Sequence, residues 1–321
     1  MNSNLILIDG ISGSGKSTTA QRLYLYLIKN GHEAEWFYEH EIPHPIYRAD
    51  EVKRAMEAGS SESDRMHEIA ISNWTRLVDS LSRSNRITIL ESTLFQTAVG
   101  SQFLVGWEPS AIEDYVMRVH DIIQKADPVF IYFYRQDIAR ALQITNEKRG
   151  GDFYAYLVDK MANTPYGRRN PIQNIQDVIE TFRRFREITD RLFSRFRLRK
   201  LAIDTTEGDW EESMRRISHF LSIGKIENPS VPLNDWQDFT GRYRNSEYNH
   251  DWVIAGDGTG LYFDDLFRAR LLHKIDNVFY LEGSCLELSF EKNEKGRIHS
   301  VICRGNLPGE TVIGTVWMKV I

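Results

Sequence analysis

The chain alternates short apolar runs with longer segments whose apolar residues recur at helical spacing. Five runs read as strands: Asn4–Asp9, Glu33–Glu39, Arg86–Glu91, Pro128–Tyr134 and Leu198–Asp204. Helical patterns fill Thr18–Asn30, 46–58, 61–84, 94–104, 110–126, Asp137–Lys148, 173–197 and Asp209–Ile223. The longest of them is strongly amphipathic, with Ile175, Val178, Ile179, Phe182, Phe185, Ile188, Leu192 and Phe196 along one face. The stretch from Lys148 to Pro171 reads as a polar connection. Strands separated by helices predict an α/β fold, an open parallel sheet with helices on both faces. Ligands of such sheets sit at the carboxyl ends of the strands, an edge that gathers Gly10, Glu39, Glu91, Tyr134 and Asp204.

The pattern then changes. Residues 1–224 carry the helix–strand alternation, and 225–234, with two prolines and no periodicity, reads as a linker. From 235 to 321 the segments are short, alternating and separated by turn signals such as Asp257-Gly258 and Glu294-Lys295-Gly296. They predict a small antiparallel barrel or curled sheet.

Bulk composition sets limits. With 41% hydrophobic and 26% charged residues, the 321-residue chain is an ordinary globular protein. A net charge of −5 argues against a general nucleic-acid binder. No apolar run has the length of a membrane span, and no cleavable leader is visible. Cys285 and Cys303 read as free thiols of a reducing cytoplasm. The oligomeric state is left open, a homodimer among the forms considered.

The chemistry begins at Gly10-Ile11-Ser12-Gly13-Ser14-Gly15-Lys16-Ser17, which fits the phosphate-binding pattern G-x-x-x-x-G-K-[ST]. A strand before it and a helix after it supply the context the motif requires. Glycines at 10, 13 and 15 let the backbone curl so that its N–H groups, with Ser12 and Ser14 among them, point at phosphate oxygens. The helix that starts at the end of the loop, at Thr18, adds the positive end of its dipole. Lys16 reaches the β- and γ-phosphates, and the Ser17 hydroxyl suits Mg²⁺. ATP with Mg²⁺ is therefore the expected cofactor pair.

Residues 1–224 resemble the P-loop kinases of the nucleoside and nucleotide kinase group, thymidylate kinase-like in layout. The resemblance rests on Asp9-Gly10 leading into Gly15-Lys16-Ser17-Thr18, the polar loop after strand two and Glu91 after strand three. It extends to Val129–Tyr134 with its helix ending Lys148-Arg149-Gly150, and to Asp204-Thr205-Thr206 before a last helix. It implies a lid role for Arg149, a magnesium-orienting role for Glu91, an adenine-side position for Thr205 and a general-base role for Glu39. Glu41 is the alternative base, Asp9 the competing acid near Mg²⁺, and Arg168 and Arg169 the alternative lid cations. Residues 235–321, from Asp238-Phe239-Thr-Gly241-Arg-Tyr243 onward, resemble the lipocalin-like β domains appended to some serine hydrolases.

Two departures matter. The loop after strand two reads Glu39-His40-Glu41, where thymidylate-type kinases carry an Asp-Arg pair that grips an acceptor phosphate. After strand three the chain has Glu91-Ser92-Thr93 in place of Glu-Arg-Ser. A neutral or cationic hydroxyl-bearing acceptor is expected ahead of a nucleotide. His40 and His44 lack the spacing of a transition-metal site. The arginines and lysine between 183 and 200 read as a solvated helix face rather than a nucleic-acid surface. The expected function is transfer of the ATP γ-phosphoryl group to a hydroxyl of a small molecule: a nucleoside, an antibiotic or another metabolite. The alternatives are an ATPase or switch with a partner-binding β domain, a nucleotide monophosphate kinase and a polynucleotide 5′-kinase.

Overall fold

A computed structural model describes residues 3–39, 41–48, 51–54, 60–149, 153–227, 236–248, 250–264, 269–305 and 312–320, without the side chains of Ser60, Ser61, Lys148 and Arg149. His40, Gly150, Gly151, the Arg149 side chain and residues 228–234 of the expected linker lie outside the described residues.

In chain order the first part comprises β1 (Leu5–Gly10), α1 (Lys16–Lys29), β2 (Ala34–Phe37), α2 (Ser60–Leu81), β3 (Ile87–Glu91), a π-helical segment (Thr93–Val99), α3 (Gly100–Val105) and α4 (Pro109–Ile123). It continues with β4 (Val129–Tyr134), α5 (Ile138–Arg149), α6 (Phe153–Ala162), α7 (Pro165–Arg169), α8 (Ile175–Arg195), β5 (Arg199–Asp204) and α9 (Trp210–Leu221). The five strands form one sheet in the order β2-β3-β1-β4-β5, and every pairing is parallel. β1 lies in the middle and all its residues are buried, which is why it reads as an unbroken apolar run. One apolar layer joins the sheet to α2, α4 and α8, and the other joins it to α1 and α9.

Two expectations are corrected. β2 stops at Phe37, so Glu39 lies in the loop two residues past the strand instead of closing it. The stretch read as polar holds α6 and α7. Phe153, Leu157 and Met161 on α6 are buried at four-residue spacing against α8, and Thr164 caps α7 by accepting the Gly167 N–H.

The remainder is a short helix α10 (Trp236–Phe239) followed by β6 (Gly241–Arg244), β7 (Asp251–Gly256), β8 (Leu261–Phe263), β9 (Ala269–Ile275), β10 (Val278–Leu281), β11 (Glu287–Lys292), β12 (Ile298–Arg304) and β13 (Val316–Val320). These eight strands close into an antiparallel barrel in the order β10-β11-β12-β13-β6-β7-β8-β9. Aromatic side chains fill it: Trp252 stacks on Trp317 at 3.9 Å, and Phe239, Tyr243, Phe279 and Phe290 pack together beside them. Interior space of the kind that holds a ligand in larger barrels is taken up by side chains here. Cys285 and Cys303 are both buried. Among the described residues no helix is long and apolar enough to cross a membrane.

Candidate active site

The Gly10–Ser17 loop curls between β1 and α1 because its glycines remove side chains where none fits. A Cβ on Gly10 would stand 2.0 Å from the Phe133 carbonyl oxygen, and one on Gly15 would stand 1.9 Å from the Trp210 ring. Both glycines also have positive φ, 145° and 91°. Ser14 Oγ and Lys16 Nζ donate to the Ile11 carbonyl at 2.7 and 2.8 Å, so the lysine folds back over its own loop. Behind the loop, Arg135 is buried and its Nη2 donates to the Gly13 carbonyl at 3.1 Å, while its Nη1 has no partner. Burial lowers the pKa of this guanidinium and nearby Asp204 opposes the shift.

The end of β3 and the loop after β2 bring the expected acids to this loop. Ser17 Oγ donates to Glu91 Oε1 at 3.2 Å, and Ser92 Oγ donates to the same oxygen. Glu91 Oε2 is buried without a partner. Burial pushes the Glu91 carboxyl up to about 7, the charge of Glu39 adds to the shift, and Lys16 opposes it. Glu39 accepts a hydrogen bond from the Gln96 amide. Glu41 instead turns back on its own loop, where its Oε2 accepts the Tyr38 N–H at 3.3 Å. Lys16, Ser17, Glu39 and Glu91 are thus one electrostatic cluster.

Asp9, the competing acid near Mg²⁺, is held by the backbone. Its carboxylate accepts four backbone N–H groups: Gly10 at 2.9 Å, Leu94 at 2.8 Å, Phe95 at 2.7 Å and Gln96 at 2.9 Å. It caps the π-helical segment, whose entry residue Ser92 has φ 58°. Burial raises the Asp9 pKa against the pull of Lys16 and these N–H groups. A carboxylate so engaged anchors Gln96, and through it Glu39.

Thr205 is buried, with its N–H and hydroxyl both donating to the Tyr134 carbonyl at 3.0 and 3.3 Å, and the Arg135 Nε approaches its hydroxyl at 3.4 Å. Arg168 donates to the Asn163 carbonyl, and Arg169 to those of Pro165 and Val105. On α8, Arg183 and Arg184 pair with Glu180, Arg186 with Asp190, and Arg191 and Arg195 with Glu113, so these arginines face carboxylates.

Sequence reasoning missed a second polar cluster that leads away from Glu91. His44 Nε2 lies 3.5 Å from Thr93 Oγ1, and His44 Nδ1 accepts the Tyr47 N–H. The Tyr47 hydroxyl meets that of Tyr115 at 2.5 Å. The buried ring of His67 sits among Tyr47, Tyr115 and Trp107, with centroids 6.0, 4.8 and 5.1 Å away. Ser101 Oγ lies 3.4 Å from His67 Nε2. Ser63 Oγ, His67 Nδ1, both ends of the Gln102 amide and Trp107 Nε1 are buried without partners. Burial depresses His67 to about 3, so it is a neutral imidazole. The sequence signal was the shared α2 face of Ser63 and His67, polar residues where apolar ones are expected.

No family model matches the chain, and no curated protein matches it. Among solved structures it is similar to the deoxyadenosine kinase from M. mycoides with bound dATP, at 13% identity, covering 68% of this chain and 99% of that one with a TM-score of 0.39. It is also similar to the thymidylate kinase from Candida albicans, at 15% identity, covering 68% of this chain and 94% of that one with a TM-score of 0.37. Likenesses this distant do not bear on what the chain does.

Proposed function

We propose that the chain is an ATP- and Mg²⁺-dependent kinase that transfers the γ-phosphoryl group to a hydroxyl of an uncharged small molecule. The observation that carries this reading is the convergence of Lys16, Ser17, Glu91 and Glu39 on one edge of the sheet. The loop's N–H groups and the α1 N-terminus bind the triphosphate, and Lys16 leaves the Ile11 carbonyl for the β- and γ-phosphates. Ser17 and Glu91, whose Oε2 has no partner, would hold Mg²⁺, which supplies positive charge against the phosphate oxygens. Glu39 accepts the proton of the acceptor hydroxyl as that oxygen bonds to the γ-phosphorus. The bond from the γ-phosphorus to its bridging oxygen breaks, and ADP leaves. Arg149, at the end of α5, is the proposed lid cation over the transferring group.

The polar cluster around His67 favours an uncharged acceptor over a cationic one. Its groups are neutral: a depressed imidazole, an amide, an indole, hydroxyls. Orphaned buried donors and acceptors of this kind are filled by a ligand or by ordered water. A nucleoside, an uncharged antibiotic or another hydroxylated metabolite fits this lining. The test is a panel of neutral, cationic and phosphorylated acceptors with γ-labelled ATP, using Lys16→Ala as the blank. Label in a neutral hydroxyl compound, absent with Lys16→Ala, is the expected result. ATP hydrolysis equally fast without any acceptor would replace this reading with an ATPase or switch.

A further inference from the structure

Gln21 sits on α1 one turn past Ser17, and it is fully buried. A glutamine inside an interface is tolerated only when its amide is satisfied. Here the barrel satisfies it. Gln21 Nε2 donates to the Leu281 carbonyl at 3.0 Å and the Ser284 carbonyl at 2.8 Å, and Gln21 Oε1 accepts the Gly283 N–H at 3.0 Å. All three partners belong to the backbone of the β10–β11 turn. The next residue, Arg22, pairs with Glu282 of the same turn at 2.6 Å. Tyr280 packs edge-on against Tyr24 and Trp36, at 6.2 and 6.0 Å, and with Leu272 it is part of the same apolar layer as Ala20 and Leu23. The turn is therefore fixed in position, and where it is fixed matters. A Cβ at Gly283 would stand 3.4 Å from Thr18 Oγ1. Thr18, Gln21 and Arg22 share one face of the helix whose first turn carries the phosphate-binding residues.

We infer that the Leu281–Leu286 turn of the barrel is a wall of the donor-nucleotide site, set in place by Gln21 and left open at Gly283 for the Thr18 hydroxyl to reach phosphate. The barrel is then part of the nucleotide site rather than a module tethered beside it. This rests on the proposed use of the loop for ATP. Gln21 is a positioning residue in this scheme, acting through the turn.

Gly283 has φ 77°, a conformation asparagine tolerates better than most residues. Gly283→Asn keeps the turn and brings an amide to the Thr18 hydroxyl. Gly258→Asn is the control, since Gly258 has φ 84° in another barrel turn with nothing within 4 Å of a Cβ. The measurement is equilibrium binding of a non-hydrolysable ATP analogue with Mg²⁺ to the full chain, with thermal unfolding alongside. The expected result is an affinity lowered about tenfold or more by Gly283→Asn, a free-energy loss of about 1.4 kcal/mol, with Gly258→Asn unchanged and both unfolding midpoints alike. Gln21→Leu, which removes all three amide bonds, is expected to weaken analogue binding as well. Normal binding by Gly283→Asn in a chain whose wild type binds the analogue overturns the inference alone. Failure of the wild type to bind overturns the kinase reading with it.

Discussion

Gln96 joins the proposed base to the strand before the phosphate loop: its side-chain amide donates to Glu39, and its backbone N–H donates to Asp9 at 2.9 Å. Glu39 lies on a loop, and this link ties it to the strand. Glu39→Gln is expected to lower turnover by roughly 10²–10⁴-fold, the range for a lost general base, while affinity for an ATP analogue stays within twofold or so. Gln96→Leu leaves the carboxylate in place but removes this link to Asp9, and is expected to lower kcat by about tenfold, with the same split from nucleotide binding. Unchanged turnover in Glu39→Gln removes Glu39 from the mechanism.

Asp9 makes a stability prediction. Asp9→Asn puts an NH₂ among four backbone donors, so donor meets donor in a buried place. A loss of about 3 kcal/mol is expected from unsatisfied buried groups, read as a fall of roughly 6–10 °C in Tm. Ser92→Ala, which removes one bond to Glu91 and none to Asp9, is expected to shift Tm by far less. Equal shifts in the two variants would refute the capping role.

Glu91 makes a metal prediction. Its carboxylate meets the Ser17 hydroxyl on one oxygen and has no partner on the other. Glu91→Gln keeps the shape and the serine contact but removes the charge. The concentration of Mg²⁺ giving half-maximal nucleotide binding is expected to rise about tenfold or more, with nucleotide binding in the absence of Mg²⁺ unchanged or improved. A Mg²⁺ dependence identical to wild type would take Glu91 out of the metal site.

How far the sequence discloses this arrangement follows from where each signal is stored. The Gly10–Ser17 loop is legible because its conformation is dictated locally, by glycines that exclude side chains and by the strand and helix on either side. The sheet is legible because strands buried on both faces, such as β1 and β4, are written as apolar runs. Asp9 is not legible, because its partners are the N–H groups of residues 85 to 87 positions later and any side chain could carry them. Gln21 is not legible either, because only the barrel, 260 residues away, makes it an interior position. Helix α6 carried a readable stripe at Phe153, Leu157 and Met161, hidden by the basic and glycine residues around it. Arg135 falls one residue beyond the β4 strand end that the edge rule selects.

His67 makes a pH prediction. Burial holds its pKa near 3, against 6.5 in the unfolded chain, while Glu68 at the surface pulls weakly the other way. The folded state thus keeps the imidazole neutral where the unfolded state protonates it. Between pH 6.5 and 3 the unfolded chain binds the extra proton, so stability falls as pH is lowered through that window and the contribution is intact above it. From pH 7 to pH 4 this amounts to about 3 kcal/mol. Denaturant unfolding at pH 7 and pH 4 should show the wild type losing more stability on acidification than His67→Gln, which has no proton to gain, by about that amount. An acceptor that hydrogen-bonds the neutral ring should raise the wild type's stability at pH 7 and lose that effect in His67→Gln. Parallel pH profiles for the two proteins would mean that the imidazole meets water, and the polar cluster would no longer serve as the lining of a closed acceptor pocket.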